Sequence, residues 1–279
     1  MPSNKQRRQA AQRHLQRQLE RRAERARQQR RNLLIVATVV AVLLVGGAIW
    51  LVTGLGGDDD SKTAAASSGA TGTPAASPGP GAERAGQTTT AGACTYTYDA
   101  QGSSGKAVDA PSGDIPTEGT TAETVTTSAG TIGLTLNRAG DAACATESFV
   151  SLAAQGYFDD TPCHRLTTAP GLQVLQCGDP SGQGSGGPGY SFPTKVSGSE
   201  TYPRGVVAMA NSGQGTDGSQ FFLVYGDSLQ GNPNYTVFGT IDGGGLSTLD
   251  SIAAAGVADE STDGAPATPV TISKVTAGS

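Results

Sequence analysis

The sequence predicts a mainly β domain, a closed antiparallel barrel capped by two α-helices, carried behind a single transmembrane helix and a disordered linker. Short apolar runs (VLQC, GVVAMA, QFFLVY, YTVFGT) are divided by Gly and Pro, the rhythm of short strands joined by tight turns. Glycine supplies 40 of the 279 residues and aromatics only 5%, which argues against a helical bundle and for many turns. Charge is also partitioned. Eleven of the 19 Lys and Arg lie between Lys5 and Arg31, so the first 31 residues carry +9 and the others −14.

Residues 1–32 form a basic segment without internal glycine, read as a cytoplasmic arm and topology determinant; contact with anionic lipid headgroups is the alternative. Residues 33–55, LLIVATVVAVLLVGGAIWLVTGL, hold no charge, and a helix of that length spans a hydrocarbon layer of ~30 Å. A cleaved signal peptide is the competing reading, but both the charged leader and the apolar run exceed signal-peptide proportions. The basic flank before the span and Asp58, Asp59 and Asp60 after it orient the N-terminus to the cytoplasm. The expected location is therefore the cell membrane, single-pass, with the remainder of the chain extracytoplasmic. Residues 56–93, rich in Gly, Ala, Ser, Thr and Pro, hold no large hydrophobic residue and read as a flexible tether.

Cys94, Cys144, Cys163 and Cys177 all follow the span, on the side that permits disulfides. Three pairings are open in principle. The stretch CHRLTTAPGLQVLQC reads as a hairpin whose turn, near Thr168 to Gly171, is centred between Cys163 and Cys177, which favours that pair. Cys94 with Cys144 follows by elimination and ties residues 94–121, an extension, to the domain that occupies 122–279.

Within that domain, Ile132, Leu134 and Leu136 alternate after a Ser-Ala-Gly turn, predicting a hairpin with one buried face. A helix is predicted over 143–155, with Phe149, Leu152 and Ala153 on one face and Gly156 ending it. A second is predicted over 247–255, with Ser247 as N-cap and Leu249 and Ile252 buried.

Two histidines in the whole chain, with only His164 beyond the span, remove most hydrolase and metal chemistry; no metal and no cofactor is expected. The stretch Gly182–Gly187 formally satisfies G-x-G-x-x-G. Pro188-Gly189 follows where a dinucleotide fold needs a helix N-terminus, so the match is rejected.

The runs HRL (164–166), LQCGDPSGQGSGGPGY (175–190), RGVVAMANSGQGTDGSQFF (204–222) and VFG (237–239) resemble, in order and spacing, the cyclophilins. These are peptidyl-prolyl cis-trans isomerases, here of the bacterial membrane-anchored kind. The resemblance covers roughly 122–276 and implies eight barrel strands. It also implies an isomerase whose catalytic residues are Arg165, Gln176 and Phe222. Arg165 would stabilise the prolyl nitrogen as it becomes pyramidal, with Gln176 positioning the guanidinium and Phe222 flooring the proline pocket. Phe221 should point into the barrel. Substrate-binding positions by the same resemblance are Leu172, Val174, Leu229 and Tyr235 at the pocket walls, Ala210 and Asn211 on an edge strand that pairs with substrate backbone, and Gly184 and Gln220 beyond the proline. The chain departs from the family pattern in several places. The hairpin between Arg165 and Asp179 is longer, the pocket aromatic expected at its tip is replaced by Leu172 or Gln173, Cys163 replaces the phenylalanine before the histidine, Ser228 stands where several members carry tryptophan, and the loop Gln230–Asn234 is longer. Weakened binding of cyclosporin-type macrocycles is expected from these changes.

The function implied is rotation about X-Pro bonds in unfolded or exported polypeptides, with no nucleic-acid partner. A catalytically weak proline-peptide binding or scaffold module at the cell surface is the alternative from another class.

Overall fold

The structure is a computed structural model of the 279-residue chain and is described for residues 79–213 and 215–278. The basic arm, the apolar span and most of the tether lie outside the described residues. Among the described residues no helix is long and apolar enough to cross a membrane.

Among the described residues thirteen strands and two α-helices follow in order: β1 (Thr88–Ala91), β2 (Cys94–Ser103), β3 (Thr120–Thr127), β4 (Gly130–Asn137), α1 (Ala143–Ala154), β5 (Thr161–Pro162), β6 (Arg165–Thr167), β7 (Gln173–Cys177), β8 (Pro188–Pro193), β9 (Val206–Asn211), β10 (Thr216–Gly226), β11 (Val237–Ile241), α2 (Gly243–Ala255), β12 (Asp263–Gly264) and β13 (Thr271–Ala277). One path of neighbours runs β1-β2-β8-β10-β9-β11-β4-β3-β13-β5, and a branch from β10 runs β7-β6-β12.

The expected closed ring of eight strands is not formed; the sheet is open. The segment 161–167 would have to close it. Its first half, β5, pairs with β13, and its second half, β6, pairs with β7. The free edge of β6 is occupied by Asp263–Gly264 instead of by β13. Between the halves, Cys163 and His164 belong to no strand, although the Cys163 N–H donates to the Val270 carbonyl at 2.8 Å.

The predicted hairpin is β3–β4, paired from Thr120↔Asn137 to Thr127↔Gly130, with Ile132, Leu134 and Leu136 buried. Helix α1 stops one residue before its expected end. Gly156 follows with φ 66° and donates its N–H to the Ala153 carbonyl at 3.0 Å, a conformation that favours a residue without Cβ. Helix α2 starts four residues earlier than expected. Its N-cap is Asp242, whose Oδ1 accepts the Gly245 N–H, and Ser247 lies inside the helix. Three successive glycines are poor helix formers, which hid this turn in the sequence. The fold needs Gly245 there, because a Cβ would lie 2.8 Å from the Ile132 side chain.

Residues 79–93, read as the end of the tether, are folded. A 3-10 turn at Ala82–Arg84 precedes β1, which pairs along β2 from Thr88↔Thr97 to Ala91↔Cys94. Threonine's β-branching suits a strand even in a stretch of low complexity. Beyond it, Tyr96 packs edge-on against Tyr190 and Phe192 of β8, carrying the extension into the main core beside Phe149, Phe158, Phe221 and Phe238.

Both expected disulfides are present, Cys94–Cys144 and Cys163–Cys177. Hairpin register is one residue off the symmetric expectation. Arg165 pairs with Gln176 and Leu166 with Leu175, so the bridge joins diagonal rather than directly opposed cysteines.

Candidate active site

A single row of paired residues crosses five strands. Arg165 on β6 is opposite Gln176 on β7, Gln176 opposite Phe222 on β10, Phe222 opposite Ala208 on β9, and Ala208 opposite Val237 on β11. Directly paired residues carry their side chains on one face of a sheet, so register alone gathers Arg165, Gln176 and Phe222. Adjacent positions face the other way. Phe221 lies in the main core with its ring centroid 5.2 Å from Phe149, as the sequence predicts.

Around Phe222 a second apolar cluster forms from Val174, Tyr202, Val206, Ala208 and Val224, with Leu172, Ala210, Leu229, Tyr235 and Val237 against it. Tyr235 meets Phe222 edge-on, centroids 5.3 Å apart at 89°. Leu172, not Gln173, supplies the apolar group at the hairpin tip. At the rim, Ser228 Oγ accepts the Gln173 N–H at 2.8 Å and donates to the Gly226 carbonyl at 2.7 Å, tying the longer hairpin to the longer loop. Leu229 reaches the cluster with φ 54°, a left-handed conformation unusual for leucine.

The charged end of the row is a network. Arg165 Nε and Nη2 donate to the two carboxylate oxygens of Asp263 at 2.7 and 2.8 Å, while Nη1 donates to Gln176 Oε1 at 3.2 Å. Gln176 Nε2 donates to Gln220 Oε1, and Gln220 Nε2 to the Gly186 carbonyl, each at 2.9 Å. The hydrogen bonds from Arg165 hold the Asp263 carboxyl below its ordinary pKa, and the same carboxylate raises that of the guanidinium.

Beneath the glycine-rich loop, fully buried Asp179 accepts from the Ser104 and Ser181 hydroxyls and from the Ser181, Gly184 and Gly186 N–H groups. These bonds outweigh the upward effect of burial and leave its pKa below the ordinary value. The rejected G-x-G-x-x-G match is thus a loop wrapped around one carboxylate. His164 lies under this loop. Its ring nitrogens are buried without a hydrogen-bond partner among the described residues, and burial lowers its pKa.

Gln176, Gly184, Ala210, Asn211 and Gln220 all line a cleft of about 1170 Å³. The strand holding Ala210 and Asn211 is not an edge strand, since β9 lies between β10 and β11. Only its end is free on one side, because the β11 pairing begins at Val237↔Ala208. Sequence reading missed Asp263, Asp179 and Tyr202. Tyr202 Oη donates to the Tyr235 carbonyl and accepts its N–H, at 3.0 and 2.8 Å.

The model of the family described as cyclophilin type peptidyl-prolyl cis-trans isomerase/CLD matches residues 122–277. The chain belongs to this family. A probable peptidyl-prolyl cis-trans isomerase B of Mycobacterium leprae is 53% identical over 173 residues, which are 57% of this chain and 58% of that protein. Its Mycobacterium tuberculosis counterpart is 52% identical over 58% of this chain and 56% of its own length. The chain thus spans less than two thirds of these relatives. A peptidyl-prolyl cis-trans isomerase of Helicobacter pylori is 39% identical over 131 residues, 46% of this chain and 78% of that one. Among solved structures, a Cryptosporidium parvum cyclophilin type isomerase aligns with TM-score 0.50 and 28% identity, over 58% of this chain and 99% of its own. The cyclophilin fold accounts for the mainly β domain with two helices.

Proposed function

We propose that the domain catalyses cis-trans rotation about X-Pro bonds in exported polypeptides, held by its N-terminal span at the outer face of a cell membrane. The barrier to that rotation, roughly 18–20 kcal/mol, comes from amide resonance. It falls when the prolyl nitrogen is allowed to become pyramidal. No nucleophile or proton relay is required.

The observation that carries this reading is the fixed guanidinium of Arg165 beside the apolar pocket of Phe222. A guanidinium has five N–H donors. Asp263 and Gln176 engage three of them, which leaves one on Nη1 and one on Nη2 to face the prolyl nitrogen lone pair. Phe222, Val174, Leu229 and Tyr235 would grip the ring while the preceding carbonyl turns. Each ~1.4 kcal/mol of preferential transition-state stabilisation is a factor of ten in rate.

Extracytoplasmic placement rests on the charge partition around 33–55 and on the engagement of all four cysteines in disulfides.

Protease-coupled isomerisation of a proline tetrapeptide by the full chain, with Arg165→Ala as control, tests the catalytic reading. Equal rates for both proteins would sink it and leave a proline-peptide binding module. Protease shaving of intact cells, followed by the mass of the retained fragment, tests the topology. Cyclosporin titration against turnover tests the expected weak macrocycle binding.

A further inference from the structure

We propose that the N-terminal extension builds a subsite beside the proline pocket that selects substrates carrying a cationic side chain close to the X-Pro unit. The proposal deepens the isomerase reading and rests on it.

One wall of the 1170 Å³ cleft is made by Gly79, Pro80 and the stretch from Asp99 to Gly105, all upstream of residue 122, where the match to the family begins. The adjoining wall is the loop from Gly184 to Gly189. Gln176, Gln220, Ala210 and Asn211 are common to the cleft and to the candidate active site, so a chain lying in one enters the other. A polypeptide is the occupant this continuity implies.

The upstream wall is built into the domain. Tyr98 pairs with Tyr190 and Ser103 with Pro188. Ser104 donates its N–H to the Gly187 carbonyl at 2.9 Å, and its one hydroxyl proton is shared between that carbonyl at 3.1 Å and Asp179 at 3.2 Å. Gly189, at φ 83°, lets the two walls touch, since a Cβ there would lie 2.6 Å from the Ser103 nitrogen.

Charge sets the ligand class. Among the described residues that line the cleft none is Lys, Arg or His, and the carboxylates are Asp99 and Asp217. Asp217 is 1% exposed and its oxygens accept from Thr194 and Thr236 at 2.7 and 2.6 Å. Asp99 is half-buried on the cleft wall and, among the described residues, accepts one hydrogen bond, from Ser191 at 3.2 Å. An unbalanced carboxylate in a partly desolvated cleft attracts a Lys or Arg side chain more strongly than one in open solvent.

The test is kcat/KM of the full chain on peptides in which Lys, Ala or Glu is placed in turn at three positions before and two after the X-Pro unit. At one position Lys should exceed Ala about tenfold and Glu should fall below Ala. In Asp99→Asn the Lys-to-Ala ratio should fall below about twofold, and 1 M salt, where the Debye length is about 3 Å, should do the same to the wild type. Each ratio is taken within one protein, so a general loss of folded enzyme cancels. A wild-type ratio under twofold at every position, or one that survives Asp99→Asn, overturns the subsite. Failure to turn over the Ala peptides would instead overturn the isomerase reading. The same ratios are then read from fluorescence-anisotropy affinities, and the same two outcomes decide.

Discussion

Arg165 and Asp263, 98 residues apart in sequence, meet in two parallel hydrogen bonds that present the guanidinium edge-on to the carboxylate. Lysine offers a point charge and cannot reproduce this fork. On the role proposed for Arg165, Arg165→Ala is expected to lower kcat/KM by about 10²–10³, the usual cost of one transition-state donor, and Arg165→Lys by nearly as much. Asp263→Asn keeps one acceptor and should cost roughly tenfold through misplacement of Arg165. The pair is partly exposed, at 37% and 51%, so urea midpoints should move little in any of these variants. A loss of stability matching the loss of rate would show that Asp263 serves the fold and not the guanidinium.

Asp179 is a second carboxylate with a different duty. It collects N–H and O–H donors from the extension and from the glycine-rich loop, and its pKa lies below the ordinary value. The unfolded chain therefore binds more protons than the fold as pH falls toward and below the ordinary carboxylate value, about 3.9. Asp179's contribution to stability is complete above that value and is lost as pH drops through the depressed folded pKa. Asp179→Asn turns one oxygen into a donor facing the N–H groups of Gly184 and Gly186. It should cost about 2–4 kcal/mol at pH 7 and flatten the acid limb of the stability curve. Urea unfolding from pH 2 to pH 7 reads both effects, and an unchanged acid limb would contradict the assignment.

How far the site could be read in sequence follows from distance along the chain. Phe221 and Phe222 are adjacent, and a period of two assigns them to opposite faces. Cys163 and Cys177 bracket one turn, so their pairing was legible, while the register one residue off symmetry depends on how Gly171 and Leu172 turn. Asp263 was not legible. It is one of several acidic residues in ADESTDG and pairs with Arg165 only because β12 lies along β6. The same local pairing kept the sheet open where repeated short strands had suggested a closed ring. Strand β1 and the first turn of α2 were hidden for another reason. Threonine-rich and triple-glycine stretches have the composition of linkers, and it is the pairing of β1 with β2, with Ala91 in the core, and the Asp242 cap and close Gly245–Ile132 approach in α2 that show them to be structured.

Tyr202 braces the pocket without touching charge. Its hydroxyl makes both hydrogen bonds to the Tyr235 backbone, and the Tyr235 ring stands edge-on to Phe222. Tyr202→Phe strands a donor and an acceptor at once, at a cost of about 1–3 kcal/mol for a buried unpaired group. The pocket wall should loosen. A several-fold rise in KM is expected with a smaller change in kcat, because Arg165 is held from the other end of the row. An equal fall in kcat with KM unchanged would show that Tyr202 acts on the reacting bond itself.

The two disulfides should separate by consequence. Cys163–Cys177 closes 14 residues and Cys94–Cys144 closes 50, which chain-entropy arguments value at about 3 and 4 kcal/mol. Replacing Cys163 and Cys177 by serine should lower stability and also weaken catalysis, because the bridge lies beside the Arg165–Gln176 pair. Replacing Cys94 and Cys144 removes the covalent tie between the extension and α1, leaving the β2–β8 pairing and the Ser104 contacts. Its effect should appear first as faster amide hydrogen exchange across Thr88–Ser103. Turnover of a short neutral peptide should change less than in the first variant, since the row from Arg165 to Val237 lies wholly downstream of the extension. Charge selectivity should fall, since Asp99 is carried by β2. Measuring exchange, neutral-peptide turnover and the Lys-to-Ala ratio on both double variants distinguishes these roles. Identical profiles would mean that the extension and the β6–β7 hairpin unfold as one unit.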